Sequence, residues 1–466
     1  MFSSTLGTPF ESDCVHYLNR PDFEPRYEDE EHQEDALTPP GRRQDERRRA
    51  EMILGRPLRR RDERQERHVC KLRIQYKQFP FLAILNFAVL AIILILLITS
   101  DKVISCYYNM PSQKISALQP SAIHPYLCTH INVAFASVED STIYLSSEQK
   151  DIFKEVVNLK MKNPNLKVLL SIGGAGVYNG FSHMVIDHAS RKKFIRSIKS
   201  FLKEYKGDGI DLDWEFPAIS GNFRERQHLS QLLREIRVEF WREKHDYMLT
   251  IAAASPKFLV EQCYDISQLN LYTDYVNIMT YDYHFFSTYT PFTGLNAPLY
   301  TSDTFGYLST LSINYTINMY IEKGLSPDKI VMGIPTYGHS FYLWNKNNTG
   351  LGSPAGIGVV GYSGFADYPD ICKYIEHNKD VVLKTDKIGK VPYLYQRYDW
   401  ISYENEASVM LKAEYVKENH LRGAMIYSLN ADDHQGMCNL KLMGKFPLAN
   451  SIKSALFDDI SVSQNS

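Results

Sequence analysis

Short apolar runs recur along the last three quarters of the chain, and stretches with helical spacing separate them. Eight such runs are rich in β-branched or other apolar residues: 103–108, 130–136, 167–172, 209–214, 247–253, 275–279, 329–334 and 423–428. Residues 191–205 and 223–241 repeat apolar positions every three or four residues, as amphipathic helices do. Eight strands that alternate with helices are typical of a closed barrel with parallel strands. The pattern therefore predicts a (β/α)8 TIM barrel.

The interval between the seventh and eighth runs is far longer than the others. About 90 residues intervene there, whereas a plain connection in an α/β unit needs roughly 2–6. The stretch from about 337 to 409 is rich in Gly and Tyr and has β character. We expect it to form a small α+β subdomain inserted between barrel strands 7 and 8.

The first hundred residues have a different composition. Residues 1–79 contain 16 Lys/Arg and 16 Asp/Glu and few core-forming residues, which predicts a disordered tail. Residues 80–100 carry no charge, and Asn86 is the only strongly polar side chain among the 19 residues from 81 to 99. That length is about what a helix needs to cross ~30 Å of hydrocarbon. We expect a transmembrane signal-anchor helix at 80–100, followed by the barrel domain at 101–466.

Two alternatives for this apolar segment are a buried core helix and a cleaved signal peptide. Core helices rarely run this long without a charge, and a signal peptide would lie near residue 1. Nine Lys/Arg lie between 56 and 77, and only Lys102 lies close on the other side. Because positive residues stay in the cytoplasm, we expect a single-pass type II membrane protein with an extracellular or lumenal barrel.

The net charge limits the classes of partner, and the cysteine content indicates the compartment of the outer domain. The formal net charge is −2, which argues against a nucleic-acid binder driven by net basic charge. Of the seven cysteines, Cys14 and Cys70 fall on the cytoplasmic side. The outer domain holds five, so at most two bridges form within it and one thiol is left over. Sequons at Asn314 and Asn347 predict glycosylation on the same side. The sequence gives no indication of the oligomeric state.

The strongest chemical signal is a series of carboxylates in the fourth run. Side chains alternate faces along a strand, so Asp211, Asp213 and Glu215 share one face. Like charges this close raise the pKa of at least one carboxyl, which then keeps a proton near neutral pH. Glu215 ends the run, and barrel enzymes place their chemistry at the C-terminal ends of the strands.

Two other interpretations of the carboxylate series are a calcium loop and a surface strand. A calcium loop that began at Asp211 would need a turn glycine at its sixth position, where this chain has Phe216. The apolar opposite face and the central place in the series of runs argue against a surface strand. We therefore predict a catalytic site with no metal and no cofactor.

The carboxylate series and four further segments of the chain resemble the motifs of one enzyme family. DGIDLDWEFP (208–217) resembles the DxxDxDxE signature of family 18 glycoside hydrolases, which are the chitinases and their lectin-like relatives. SIGG (171–174), MTYDYH (279–284), GIPTYG (333–338) and GAMIYSLNADDHQGMCN (423–439) resemble further motifs of that family, in the same order. The resemblance covers about 103–447 and implies the substrate-assisted mechanism, in which the substrate's N-acetyl oxygen attacks the anomeric carbon.

The resemblance also implies residue roles. Glu215 would protonate the leaving oxygen and later activate water, Asp213 would steer the acetamido group, and Asp211 would hold a shared proton. Tyr281 would hydrogen-bond the acetamido group. Substrate contacts are implied for Tyr107, Phe135, Gly174, Met279, Asp282, Tyr337 and Tyr427. Ordinary barrel packing is the alternative for the aromatic members. The implied disulfides are Cys106–Cys128 and Cys372–Cys438, with Cys263 left over.

The chain departs from the family pattern mainly at aromatic positions. Ala175 and Tyr427 stand where the family usually has Trp, no Trp is found near Pro111 or at 287–289, and His339 replaces a frequent Arg. Aromatic faces bind sugar rings, so the loss of these residues should reduce the affinity for the polymer more than the rate of catalysis.

We thus expect an endo-acting glycosidase that cleaves β-1,4-linked N-acetylglucosamine in chitin or chitooligosaccharides. The alternatives are a catalytically weak or inactive lectin-like protein and an endo-β-N-acetylglucosaminidase that acts on glycoproteins. Lectin-like relatives commonly lose the acid Glu, so the retained Glu215 favours an enzyme.

Overall fold

The computed structural model describes residues 102–111, 117–176, 178–301, 306–438 and 444–458. The predicted tail at 1–79 and the predicted membrane helix at 80–100 lie outside these residues. Within the described ranges, no helix is both long enough and apolar enough to span a bilayer.

Eight parallel strands close a barrel around the main hydrophobic core. They are β1 (Val103–Asn109), β2 (His130–Glu139), β4 (Lys167–Gly173), β5 (Gly209–Asp213), β6 (Met248–Ala253), β7 (Tyr275–Ile278), β8 (Ile330–Pro335) and β15 (Gly423–Tyr427), with the short hairpin strand β3 (Thr142–Tyr144) beside β2. Each strand pairs with the next, and β1 pairs with both β2 and β15, which closes the sheet. Every predicted apolar run coincides with one of these eight strands, so the barrel prediction is confirmed.

Helices surround the barrel. They are α1 (Ser147–Asn158), α2 (Tyr178–Met184), α3 (His188–Tyr205), α4 (Glu225–Arg242), α5 (Lys257–Cys263), α6 (Ile266–Tyr272), α7 (Ile313–Glu322), α9 (Glu406–Glu418) and α10 (Pro447–Phe457). Helix α3 begins before its first predicted residue because the Asp187 side chain accepts a hydrogen bond from the Ser190 N–H and caps the helix. The helix ends at Lys206, which adopts a left-handed conformation with φ 57°.

A second, antiparallel sheet lies between β8 and β15 along the chain. It contains β9 (Tyr337–Leu343), β10 (Ala355–Ile357), β11 (Phe365–Asp367), β12 (Val382–Thr385), β13 (Pro392–Gln396) and β14 (Asp399–Ser402), with helix α8 (Tyr368–His377) after β11. The sheet has a small core of its own around Phe341, Leu343 and Trp400. The observed sheet therefore falls within the predicted 337–409 interval, while α9, from Glu406 onward, already belongs to the barrel's outer ring.

Both implied disulfides are present. Cys106 on β1 is bonded to Cys128, which shortly precedes β2, and Cys372 on α8 is bonded to Cys438. Cys263 is buried at the end of α5 and takes part in neither bridge.

Candidate active site

Strand β5 carries the carboxylate series into the interior of the barrel. Asp211 and Asp213 are buried, and Glu215 lies half-buried just beyond the C-terminal end of the strand. The alternate side chains point outward, and Trp214 stacks on Phe181 of α2 with 5.3 Å between ring centroids. Apolar packing behind the strand thus fixes the direction in which the three carboxylates point.

Both oxygens of Asp211 accept hydrogen bonds from neighbouring strands. Oδ2 accepts from the hydroxyls of Tyr107 at 2.7 Å and Ser171 at 2.8 Å. Oδ1 accepts from the Thr250 hydroxyl at 2.7 Å and from Nδ2 of Asn277 at 3.2 Å. Burial raises the pKa of Asp211, while these hydrogen bonds act in the opposite direction because they favour the carboxylate.

Asp213 is in a different environment, although it is equally deep. Its Oδ1 is buried and has no hydrogen-bond partner among the described residues. Burial, followed by the negative charges of Glu215 and Asp211, raises the pKa of Asp213 well above its ordinary range. The resemblance assigns the shared proton to Asp211, but Asp211 is already surrounded by donors. These surroundings favour the protonated form at Asp213 more than at Asp211.

Glu215 has the properties of a general acid and base. Burial is the main cause that raises the pKa of Glu215 to about 7, and the negative charge of Asp282 adds to it. A carboxyl group with a pKa near neutrality can both donate and accept a proton during a reaction. Its half-exposed position at the strand end leaves it accessible to a molecule in the cleft.

Asp282 follows β7 and is held by three neighbours. It adopts a left-handed conformation with φ 58°, and its N–H donates to Oδ1 of Asn296 at 2.9 Å. Its Oδ1 accepts hydrogen bonds from the Tyr337 hydroxyl at 2.6 Å and from Nε2 of His339 at 2.7 Å. These contacts fix a negative charge beside Glu215.

Aromatic side chains from several strands and the loops after them gather near the carboxylates. The ring of Tyr427 lies 5.5 Å from that of Tyr107, 5.8 Å from Tyr281 and 6.3 Å from Tyr337, measured between centroids. Phe135 lies 6.4 Å from Tyr107. Burial raises the pKa of all four tyrosines, so their hydroxyls remain hydrogen-bond donors at neutral pH.

The two remaining predicted contact residues have structural partners. Gly174 has φ +87°, and a Cβ there would lie 2.8 Å from the Phe135 ring. Glycine at this position therefore lets Phe135 pack closely against the strand end. The N–H of Met279 donates to the carbonyl of Ala253 at 2.9 Å, and its side chain packs half-buried against the core.

The sequence reasoning missed the polar residues that support the carboxylates. Ser171, Thr250 and Asn277 hold Asp211, and Asn296 holds Asp282. A signal was present for the first three, because each is a polar residue inside an otherwise apolar strand. Within the described ranges, no group of three or more His, Cys, Asp or Glu residues is arranged to hold a metal ion. The carboxylates and tyrosines of this site are groups that can donate and accept protons.

Comparison with known proteins identifies a family for this chain. Residues 103–432 match the model of Glycosyl hydrolases family 18. Chitinase-3-like protein 2 of Homo sapiens is 33% identical to this chain over 368 residues, which is 75% of this chain and 92% of the relative.

Solved structures with the same fold include a chitinase and a protein described as a pseudo-chitinase. The Ostrinia furnacalis Group IV chitinase in complex with allosamidin superimposes with a TM-score of 0.71 at 32% identity, over 76% of this chain and 99% of that one. Human YKL-39, described as a pseudo-chitinase with retained chitooligosaccharide binding properties, gives 0.71 at 31% identity, over 76% and 100%. The matched motifs, the barrel and these relatives together show that the chain belongs to glycosyl hydrolases family 18.

Proposed function

We propose that this protein is an endo-acting glycosidase that hydrolyses β-1,4-linked N-acetylglucosamine in chitin or chitooligosaccharides. The observation that carries the proposal is the intact carboxylate series on β5, in which burial raises the pKa of Glu215 to about 7 and also raises the pKa of Asp213. The similarity to a chitinase that was solved with allosamidin supports the same reaction class.

The proposed reaction is substrate-assisted and retains the anomeric configuration. Glu215 donates its proton to the glycosidic oxygen while the substrate's acetamido oxygen attacks the anomeric carbon, and the bond between that carbon and the glycosidic oxygen breaks. The resulting Glu215 carboxylate then takes a proton from the water that opens the cyclic intermediate. The unpartnered Oδ1 of Asp213 accepts the acetamido N–H, and the Tyr281 hydroxyl hydrogen-bonds the same group.

The direct test is hydrolysis of fluorogenic chitooligosaccharides by the wild type and by Glu215→Gln. Loss of a general acid–base group costs roughly 10²–10⁴-fold, and here one residue serves both steps. Asp213→Asn should also lose most activity, while oligosaccharide binding by calorimetry persists in both variants. If Glu215→Gln retained more than about a tenth of the wild-type rate, Glu215 would not be the acid.

A second candidate function is a lectin-like protein that binds chitooligosaccharides without cleaving them. It is favoured by Ala175 and Tyr427 at positions where the family usually has Trp, and by the similarity to human YKL-39. The wild type would then bind chitooligosaccharides but release no fluorophore. Release of N-glycans from a glycoprotein, with chitooligosaccharides left intact, would instead identify an endo-β-N-acetylglucosaminidase.

We further propose that the enzyme is anchored as a type II membrane protein. The support is the uncharged stretch at 80–100 with nine basic residues between 56 and 77 before it. Strand β1 begins at Val103, so the N-terminal face of the barrel would lie close to the bilayer. The Glu215 cleft would then face away from the membrane, which suits an extracellular polymer or soluble oligosaccharides.

A further inference from the structure

Three exposed aromatic side chains form a strip on the inserted sheet, away from its small core. The strip consists of Tyr398, Tyr342 and Trp344, whose exposed fractions are 40%, 43% and 69%. The rings of Tyr342 and Tyr398 are stacked, with 5.3 Å between centroids and 13° between planes. Neighbouring strand residues alternate faces, and Phe341 and Leu343 point into the sheet's core.

Gly356 is next to both Tyr342 and the indole of Trp344. It pairs directly with Tyr342 across the sheet, so a side chain at either position would lie on the same face. A Cβ at Gly356 would lie 3.9 Å from Nε1 of Trp344 and would meet nothing closer. The indole therefore lies next to Gly356, on the same face of the sheet as Tyr342.

A glycosylation sequon directly follows the strip in the chain. Asn347 is exposed in a tight turn, where the N–H of Asn348 donates to the carbonyl of Asn345 at 3.0 Å. Three peptide units separate Trp344 from Asn347 and span at most about 11 Å. A sugar linked to Asn347 is therefore within reach of the indole face.

The other sequon of the domain is unsuited to carry a glycan in the folded protein. Asn314 lies in helix α7, and its Oδ1 accepts a hydrogen bond from the Tyr415 hydroxyl at 3.0 Å. The sequon's hydroxyl residue, Thr316, is fully buried and hydrogen-bonds the hydroxyl of Tyr283 at 2.7 Å. Asn314 can therefore serve as an internal control for glycosylation of Asn347.

We propose that the aromatic strip is the seat of an N-linked glycan on Asn347, whose first N-acetylglucosamine residues pack on Trp344. Apolar sugar faces pack on exposed aromatic rings, and the glycan would cover the most exposed tryptophan of the described chain. The inference rests on the proposed type II orientation, because N-glycans are added on the lumenal side.

The first experiment maps the glycan on the full-length chain, expressed in eukaryotic secretory cells. Glycopeptide mass spectrometry should find a glycan on Asn347 and none on Asn314. Protease treatment of sealed microsomes reports the orientation separately. A protected barrel without a glycan on Asn347, or with one on Asn314, would contradict the inference alone. A digested barrel would contradict the orientation, and the inference with it.

The second experiment tests the contact between the sugar and the ring. Enzymatic removal of the glycan should lower the Tm of the wild type by about 1–3 °C, and it should leave the Tm of Trp344→Ala unchanged. Trp241→Ala is the matched control, because Trp241 is also exposed, at 61%, but lies on α4. Equal losses of Tm in all three proteins would contradict packing on Trp344.

Tryptophan fluorescence can distinguish a glycan linked to Asn347 from free oligosaccharide as the sugar that packs on Trp344. In a Trp241→Phe background, Trp344 is the one exposed tryptophan, since Trp214 and Trp400 are buried. Glycan removal should increase quenching of its emission by acrylamide, and added chitotetraose should not reverse the increase. Reversal by chitotetraose would identify the strip as a second site for free oligosaccharide and would overturn the proposal.

Discussion

At the scale of single residues, burial is the main cause of the raised pKa of Glu215, and the negative charge of Asp282 adds to it. Asp282 contributes to the raised pKa of Glu215, and Asp282 is itself oriented by Tyr337 and His339. A raised pKa keeps the acid protonated to a higher pH, and the first chemical step requires that proton. We therefore expect activity to fall as the pH rises above about 7.

His339→Arg should move this fall in activity to a lower pH. A fixed positive charge next to Asp282 would offset part of its field at Glu215 and lower the pKa of the acid. We expect the falling limb of kcat/KM to shift down by roughly 0.5–1 pH unit, which corresponds to about 1 kcal/mol of altered charge interaction. The pH–rate profile measures this shift and reports on the coupled Asp213–Glu215 pair.

His339→Gln is the control, since it retains a hydrogen-bond donor for Asp282 and adds no charge. Its falling limb should stay within error of the wild type. An equal shift in the Arg and Gln variants would show that His339 acts only through packing against Phe285 and Phe365.

Tyr427→Trp should tighten the binding of chitooligosaccharides. Tyr427 lies among the aromatic side chains near the carboxylates, and the larger indole restores the residue type that the family usually has there. The gain should be about 0.5–1.5 kcal/mol, or roughly two- to tenfold in Kd, measured by calorimetry. Unchanged affinity would mean that the subsites of this cleft differ from those of the family.

At the scale of elements, the site depends on hydrogen bonds that four strands send to one carboxylate. Tyr107 on β1, Ser171 on β4, Thr250 on β6 and Asn277 on β7 all donate to Asp211 on β5. Each strand contributes a single donor, so the carboxylate state of Asp211 depends on the register of the whole barrel. This arrangement favours the carboxylate form of Asp211, whereas Asp213 has no such donors at its Oδ1.

Thr250→Val removes one of these donors and preserves the shape of the side chain. Asp211 would lose a 2.7 Å hydrogen bond in a fully buried position, which raises its pKa and makes it compete with Asp213 for the proton. Urea unfolding should show a loss of about 1–3 kcal/mol. We expect kcat to fall roughly tenfold, equivalent to about 1.4 kcal/mol in the barrier. Thr250→Ser, which keeps the donor, should recover most of the activity, and failure to do so would exclude this role.

At the scale of the whole molecule, the proposed anchor and the barrel's direction predict an orientation. Strands of such a barrel run from the N-terminal face toward the catalytic face. A chain that enters β1 directly from a membrane helix would hold the N-terminal face at the bilayer. Lys167, at the start of β4, and Ser220, beyond the end of β5, are exposed positions near the opposite faces.

Fluorophores on Lys167→Cys and Ser220→Cys can test the orientation in vesicles, after Cys14 and Cys70 are replaced. Quenching from lipid should be stronger for the label at 167. Gly207 is a less suitable position, because a Cβ there would lie 2.9 Å from Leu202 and 3.1 Å from Phe153. Stronger quenching at 220 would reverse the proposed orientation and the substrate access that follows from it.

The sequence alone predicted the barrel, which the structure confirms, and the carboxylate series that we propose as its reacting groups. Apolar runs were sufficient because parallel barrel strands are buried on both faces, and burial leaves a continuous local signal. The alternation of side chains along one strand likewise placed Asp211, Asp213 and Glu215 on a common face. Both disulfides were implied by the family resemblance, and the structure contains both.

Only the tertiary structure decided which hydrogen-bond partners and neighbouring charges surround each carboxylate. Ser171, Thr250 and Asn277 are far from Asp211 in the chain, and only barrel closure brings their donors within 3.2 Å of it. The same holds for Asp282, whose partner His339 lies on a strand of the inserted sheet. Protonation depends on burial and on the positions of neighbouring charges. Those distances arise from long-range packing, and no local pattern of residues encodes them.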